Sequence, residues 1–128
     1  MQQSLTNAVS VGSTYRDRMC NLDHEEVWAV FLNGGLSILC EMMLSKGTLT
    51  QTSIDCRTVL RNALLVNATA LILLHNHPSG DPRPSQGDIL FTHNLKKACS
   101  LLDIRLVDHV IVTADSFFSF AEERILKY

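Results

Sequence analysis

The chain has 128 residues, 46% of them apolar and 19% charged, with a formal net charge of −2. That balance argues against disorder, and the length suits a single domain across residues 1–128. With 11 basic and 13 acidic side chains, bulk charge gives nucleic-acid binding no support, and no apolar run is long enough to span a bilayer.

Residues 4–19 read as a helix with a polar face. Residues 26–32 (EVWAVFL) form an apolar, β-friendly run, and Asn33-Gly34-Gly35 after it signals a hairpin turn at positive φ. The next run alternates, with Leu36, Ile38, Cys40, Met42 and Leu44 on one face, and Gly47 ends it. Ser53 is placed to cap a helix from Ile54 to about Val66, whose stripe is Cys56, Val59, Leu60, Ala63 and Leu64. Ala70–Leu74 is short and continuously apolar, as a strand buried on both faces would be. It runs into HNHPSGDPRP, a rigid loop. Ser85 opens a helix to about Leu102, residues 106–113 are a second β run, and 117–126 start extended and end helical. A strand–helix–strand succession of this kind predicts a layered α/β domain with a mixed sheet. The loop after Leu74 then falls at a carboxyl end of the sheet, where open sheets place their sites.

His75 and His77 are two apart, so on an extended backbone both project to one side and Asn76 to the other. Asp88 falls in the first turn of the helix that Ser85 begins, so its carboxylate can look back at the loop. Two histidines and a carboxylate leave one position open on a tetrahedral zinc, the plan of a catalytic centre. Each piece also has an ordinary reading. Ser85-x-x-Asp88 is a capping pattern, and Pro78 and Gly80 are turn residues. Their joint occurrence in one structural context favours the metal.

The pattern His75-x-His77, seven residues, Ser85-x-x-Asp88, with an upstream glutamate at a strand start, resembles the JAMM signature of the MPN metalloproteases. The longer string HNHPSGDPRPSQGD, with Asp108-His109 and Gly47-Thr48, is similar to the bacterial RadC branch over nearly the whole chain. The resemblance implies a cytidine-deaminase-like, three-layer α/β/α fold with a mixed β-sheet. It implies a zinc ion held by His75, His77 and Asp88, with Ser85 helping to bind the water or the developing oxyanion. A zinc-dependent hydrolase of peptide or isopeptide bonds is the expected function, with a protein or peptide as substrate. The alternative is a non-enzymatic accessory domain in DNA repair that keeps the metal. A nucleoside deaminase is set aside, since its HxE and PCxxC elements are absent. Two departures stand out. The helix-hairpin-helix region usual at the N-terminus of RadC proteins has no room here, and Arg124 stands where similar proteins often have glycine.

The family pattern wants a general base at the start of an apolar strand. Glu26 immediately precedes Val27 and is the first choice, ahead of Glu41 and Glu25. A two-residue turn at Asn33-Gly34 would set Glu26 opposite Glu41, and a three-residue loop would not. Asp108-His109 reads either as a pair orienting a ligand or, preferably, as a buried hydrogen-bonded turn. Asp81 is expected to form a turn rather than bind metal, His24 and His93 to be exposed, and Trp28 to fill the core. Lys96-Lys97 with Arg105, and Arg57 with Arg61, read as solvated helix faces, so no strong nucleic-acid binding is expected. Cys20, Cys40, Cys56 and Cys99 read as buried free thiols, consistent with a cytoplasmic location, and residues 1–13 lack the layout of a secretory leader.

Overall fold

The computed structural model describes residues 8–47 and 54–126, with side chains from residue 14 onward. The elements are α1 (Ala8–Met19), β1 (Glu26–Leu32), β2 (Ile38–Lys46), α2 (Cys56–Leu65), β3 (Ala70–Asn76), α3 (Gln86–Leu101), β4 (Arg105–Val112) and β5 (Phe117–Ser119). The strands form one mixed sheet in the order β2-β1-β3-β4-β5. Only β3 and β4 run parallel, and α3 is the crossover between them. Every residue of β3 is buried, as its unbroken apolar run requires.

The alternation of side chains assigns a layer to each face. Val27, Ala29, Phe31, Leu71 and Leu73 pack with Val59 and Ala63 of α2 and with Phe91, Leu95 and Cys99 of α3. Val30, Leu32, Ile72 and Leu74 pack with Tyr15 and Met19 of α1 on the other face. The result is the expected α/β/α layering. Among the described residues, no helix is long and apolar enough to cross a membrane.

Several local expectations are revised. The hairpin is closed by Asn33 N–H donating to Ser37 O at 3.1 Å, which leaves a three-residue loop, and the positive φ falls on Leu36 (61°) rather than on a glycine. Asn33 stabilises it by accepting from Gly35 and Ser37 N–H, both at 3.0 Å. Glu41 therefore pairs with Val30, and Glu26 with Lys46. A bulge at Phe31/Leu32 also breaks the alternation of β2, so Cys40, Met42 and Leu44 face α2 and α3 while Leu36 and Ile38 pack on the α1 side. The proposed cap Ser53 lies outside the described residues. The helix there begins at Cys56, capped by Asp55, whose side chain accepts from Thr58 N–H. Leu64 is exposed, so the apolar stripe of α2 is narrower than the sequence suggested.

The chain after β5 makes turns rather than a helix, with Arg124 at φ 59°. This is the left-handed region that glycine enters freely and arginine does not. Trp28 is only half-buried, and Lys96 is buried instead of solvated. All four cysteines are free, but only Cys99 is fully buried, and burial pushes its thiol up to about 12.

Candidate metal centre

The centre stands where β3 gives way to the loop that leads to α3. His77 N–H donates to Val112 O at 3.0 Å, which extends the β3–β4 pairing one residue past the strand and keeps His75 and His77 on one side. Gly80, at φ 89°, turns the chain back, and His77 Nδ1 meets Asp81 O at 2.9 Å. The Asp81 carboxylate itself is turned to Arg83, whose guanidinium holds its pKa down at about 2. Asp81 thus shapes the loop, as expected, and stays out of the cluster.

At the start of α3 the capping box is complete. Ser85 Oγ accepts from Asp88 N–H at 3.0 Å, and Asp88 Oδ2 accepts from Ser85 N–H at 2.8 Å. The same Oδ2 lies 3.5 Å from His75 Nε2 and 3.4 Å from His77 Nε2. Capping and facing the histidines are therefore one placement, not rival readings. Burial alone would raise the Asp88 carboxyl. Contact with His75 and His77 and the Ser85 N–H outweigh it and hold the carboxyl well below its usual range. The same contact with Asp88 raises His77 against the opposing effect of burial.

The two Nε2 atoms are 2.9 Å apart. Glu25 Oε1 completes the group at 3.6 Å from His77 Nε2, and the ligand atoms of Glu25, His75 and His77 all fall within 4.8 Å of one another. Tetrahedral zinc with bonds of about 2.0–2.1 Å separates its donors by about 3.3 Å, close to these spacings. The chemistry of the donors agrees. With its Nδ1 proton given to Asp81 O, neutral His77 offers a lone pair at Nε2, and the carboxylates of Asp88 and Glu25 are acceptors too. Acceptors turned on one another suit a divalent cation. A metal at this position fits the residues present.

Glu26, the first choice for a base, is not at the centre. Val27 pairs directly with His75 across β1 and β3, so residues of odd number in β1 share the face of His75. Glu26 falls on the other face, where Trp28 Nε1 and His24 Nε2 hold its carboxylate at 3.0 and 2.8 Å and lower its pKa. Glu41 is also remote, in an ion pair with Arg18. Glu25 has the right parity. Asn76 secures it by accepting from Glu26 N–H at 2.7 Å and donating to His24 O at 2.9 Å, one bond on each side of Glu25.

Behind the histidines lies a group that the sequence reading only partly identified. His75 Nδ1 is 2.7 Å from His109 Nε2, and His109 Nδ1 is 2.6 Å from Thr92 Oγ1. Burial and the neighbouring His75 keep His109 well below the usual imidazole range. Phe120 stacks on it at 4.5 Å. Asp108 does something different, accepting from His109 and Ala121 N–H and from the Ser119 hydroxyl, which ties β4 to the chain after β5. The pair is thus divided, with Asp108 in the buried hydrogen-bonded turn and His109 set against His75. Thr92 was missed. Its only sequence signal is a hydroxyl one helical turn after Asp88.

A family model described as the RadC-like JAB domain matches residues 5–125. A UPF0758 protein of Leptothrix cholodnii is 46% identical over 111 residues, covering 87% of this chain and 50% of that protein. A UPF0758 protein of Porphyromonas gingivalis is 40% identical over 126 residues, covering 98% and 56%. The UPF0758 protein YeeS of Escherichia coli is 42% identical over 108 residues, covering 84% and 73%. The chain spans about half the length of the first two of these relatives. With the family model matched along nearly its whole length and the histidine–carboxylate cluster in place, the chain belongs to the RadC-like JAB domain family.

Proposed function

We propose that the centre binds one zinc ion through His75, His77 and Asp88 and serves hydrolysis of an amide bond in a peptide or protein. The observation that carries this reading is the convergence of His75 Nε2, His77 Nε2 and Asp88 Oδ2 within 3.5 Å of one another. Asp88 contacts both imidazoles and is 2% exposed, which suits a ligand. Glu25 comes nearest to His77, at 3.6 Å, and is partly open to solvent, which suits a group that must receive a proton and pass it on. Zinc at these donors would supply Lewis acidity toward a carbonyl and a nucleophile at neutral pH.

Amide hydrolysis then needs two proton movements from the protein. Glu25 takes the proton of the attacking water and delivers it to the leaving nitrogen, so that the C–N bond breaks to an amine and a carboxylic acid. Ser85 Oγ already accepts from Asp88 N–H, and its own proton is available to a developing oxyanion. Strong nucleic-acid binding by this chain is not expected with 11 basic against 13 acidic side chains.

The test is hydrolysis of a peptide library, read by mass spectrometry, by the zinc-loaded protein and by the same protein stripped with a chelator. Cleavage that depends on zinc and disappears in Glu25→Gln supports the reading. Zinc bound without cleavage of any peptide or isopeptide substrate would contradict the hydrolase.

A further inference from the structure

The buried Thr92–His109–His75 chain has a direction fixed by its far end. The Thr92 hydroxyl has one proton, and it donates that proton to Asp88 O, one helical turn earlier, at 2.6 Å. Toward His109 Nδ1, at 2.6 Å, the same oxygen can only accept, so Nδ1 carries a proton. His109 is fully buried with Phe120 stacked on its ring, where a second ring proton would bury a charge. Its Nε2 is therefore bare and accepts from His75 Nδ1 at 2.7 Å. A His75 ring that gives its Nδ1 proton away in this manner presents Nε2 to Asp88 and His77 as a lone pair.

We propose that Thr92 is a positioning residue that acts through His109 to fix the tautomer and ring orientation of His75 for metal binding. The chain starts on the backbone carbonyl of Asp88 and returns, through His75 Nε2, to within 3.5 Å of the Asp88 carboxylate. One closed circuit thus ties α3 to β3 and β4 and sets two of the proposed ligands against each other. A metal-bound histidine most often donates to a carboxylate or a carbonyl. Here the acceptor is a neutral imidazole, which has no charge to draw the His75 proton across, so the direction has to come from Thr92. The consequence for affinity rests on the zinc reading given above, whereas the tautomer of His109 does not.

The test combines nitrogen-15 NMR of labelled histidines with zinc titration, by chelator competition, of the wild type, Thr92→Val and Thr92→Ser. In the wild type, with or without zinc, His109 is expected as the Nδ1–H tautomer. Thr92→Val keeps the side-chain shape and removes the acceptor, and it should weaken zinc binding by about tenfold to a hundredfold while changing the His109 signature. Thr92→Ser restores the hydroxyl and should restore both readouts. A His109 Nε2–H tautomer in the wild type overturns the proposal without any variant having to fold. So does Thr92→Val with wild-type zinc affinity. A wild type that binds no zinc while His109 is the Nδ1–H tautomer upholds the direction of the circuit and overturns the zinc reading instead.

Discussion

Glu25 and Glu26 are neighbours in sequence and lie on opposite faces of the same sheet end, each beside a histidine. On the α1 face, Glu26 is matched by donors, with Trp28 Nε1 and His24 Nε2 bonded to its carboxylate and Asp23 bonded to the other nitrogen of His24. Arg18 stands over the Trp28 ring and pairs with Glu41. On the α3 face, the Glu25 and Asp88 carboxylates and the two Nε2 atoms face one another in a largely buried setting, and with the tautomers inferred above all of them are acceptors. The two clusters have similar composition and opposite electrostatic character. Histidine and carboxylate in proximity do not make a candidate metal centre, whereas an excess of acceptors over donors, held rigidly, suits a divalent cation.

Exchanging charge for amide at the two positions gives the largest contrast. Glu25→Gln should lower turnover by about a hundredfold to ten-thousandfold while keeping zinc and fold, because it removes the proton acceptor and not a ligand. Glu26→Gln should leave turnover close to wild type. Steady-state rates and metal content on both variants decide this, and the reverse result would return the base to the α1 face.

Asn76 joins the two faces, since its side chain belongs to the Glu26 side yet straps the backbone on both sides of Glu25. Asn76→Ala leaves Glu26 N–H and His24 O without their partner. It should cost about 1–3 kcal/mol in a denaturant melt. Because Glu25 is no longer held, turnover should fall by more than a loss of folded protein accounts for, with zinc content unchanged.

Asp108 and His109 repeat the contrast within one strand. Burial raises the Asp108 carboxyl above its ordinary value of 3.8. The folded state then binds its proton more readily than the unfolded chain does, so this residue's contribution to stability falls as pH rises from about 4 through the raised value. Asp108→Asn should remove that slope from the pH dependence of the melt and cost about 1–3 kcal/mol near neutrality through its disrupted bonds to Ser119 and Ala121. Zinc affinity should not change. The smallest effect is at Arg124, where Arg124→Gly should relieve left-handed strain and stabilise the protein by up to about 1 kcal/mol in the same melt.

Much of this was legible in the sequence. The continuous apolar run of β3, the His75-x-His77 spacing and the cap at Ser85 located the centre, because each depends on local periodicity. The identity of the glutamate was not legible. Local patterning places Glu25 and Glu26 on opposite faces, but the face that α3 covers follows from the antiparallel pairing of Val27 with His75, which is non-local. The register of the β1–β2 hairpin stayed open between a two-residue and a three-residue loop for a related reason. Asn33-Gly34-Gly35 marked the turn, yet the left-handed residue is Leu36, a position no glycine signal points to. Thr92 and His109 are far apart in sequence from His75: the parallel β3–β4 pairing brings His109 behind it, and the crossover helix α3 brings Thr92 to His109.

The most direct test of the metal centre is zinc content of wild type, His75→Ala, His77→Ala and Glu26→Gln, purified without added metal and then dialysed against micromolar zinc at neutral pH. Wild type and Glu26→Gln are expected to hold about one zinc per chain, and either histidine variant to lose most of it while its melt remains cooperative. A metal-free wild type, or folded His75→Ala and His77→Ala proteins that keep a full equivalent of zinc, would contradict the assignment.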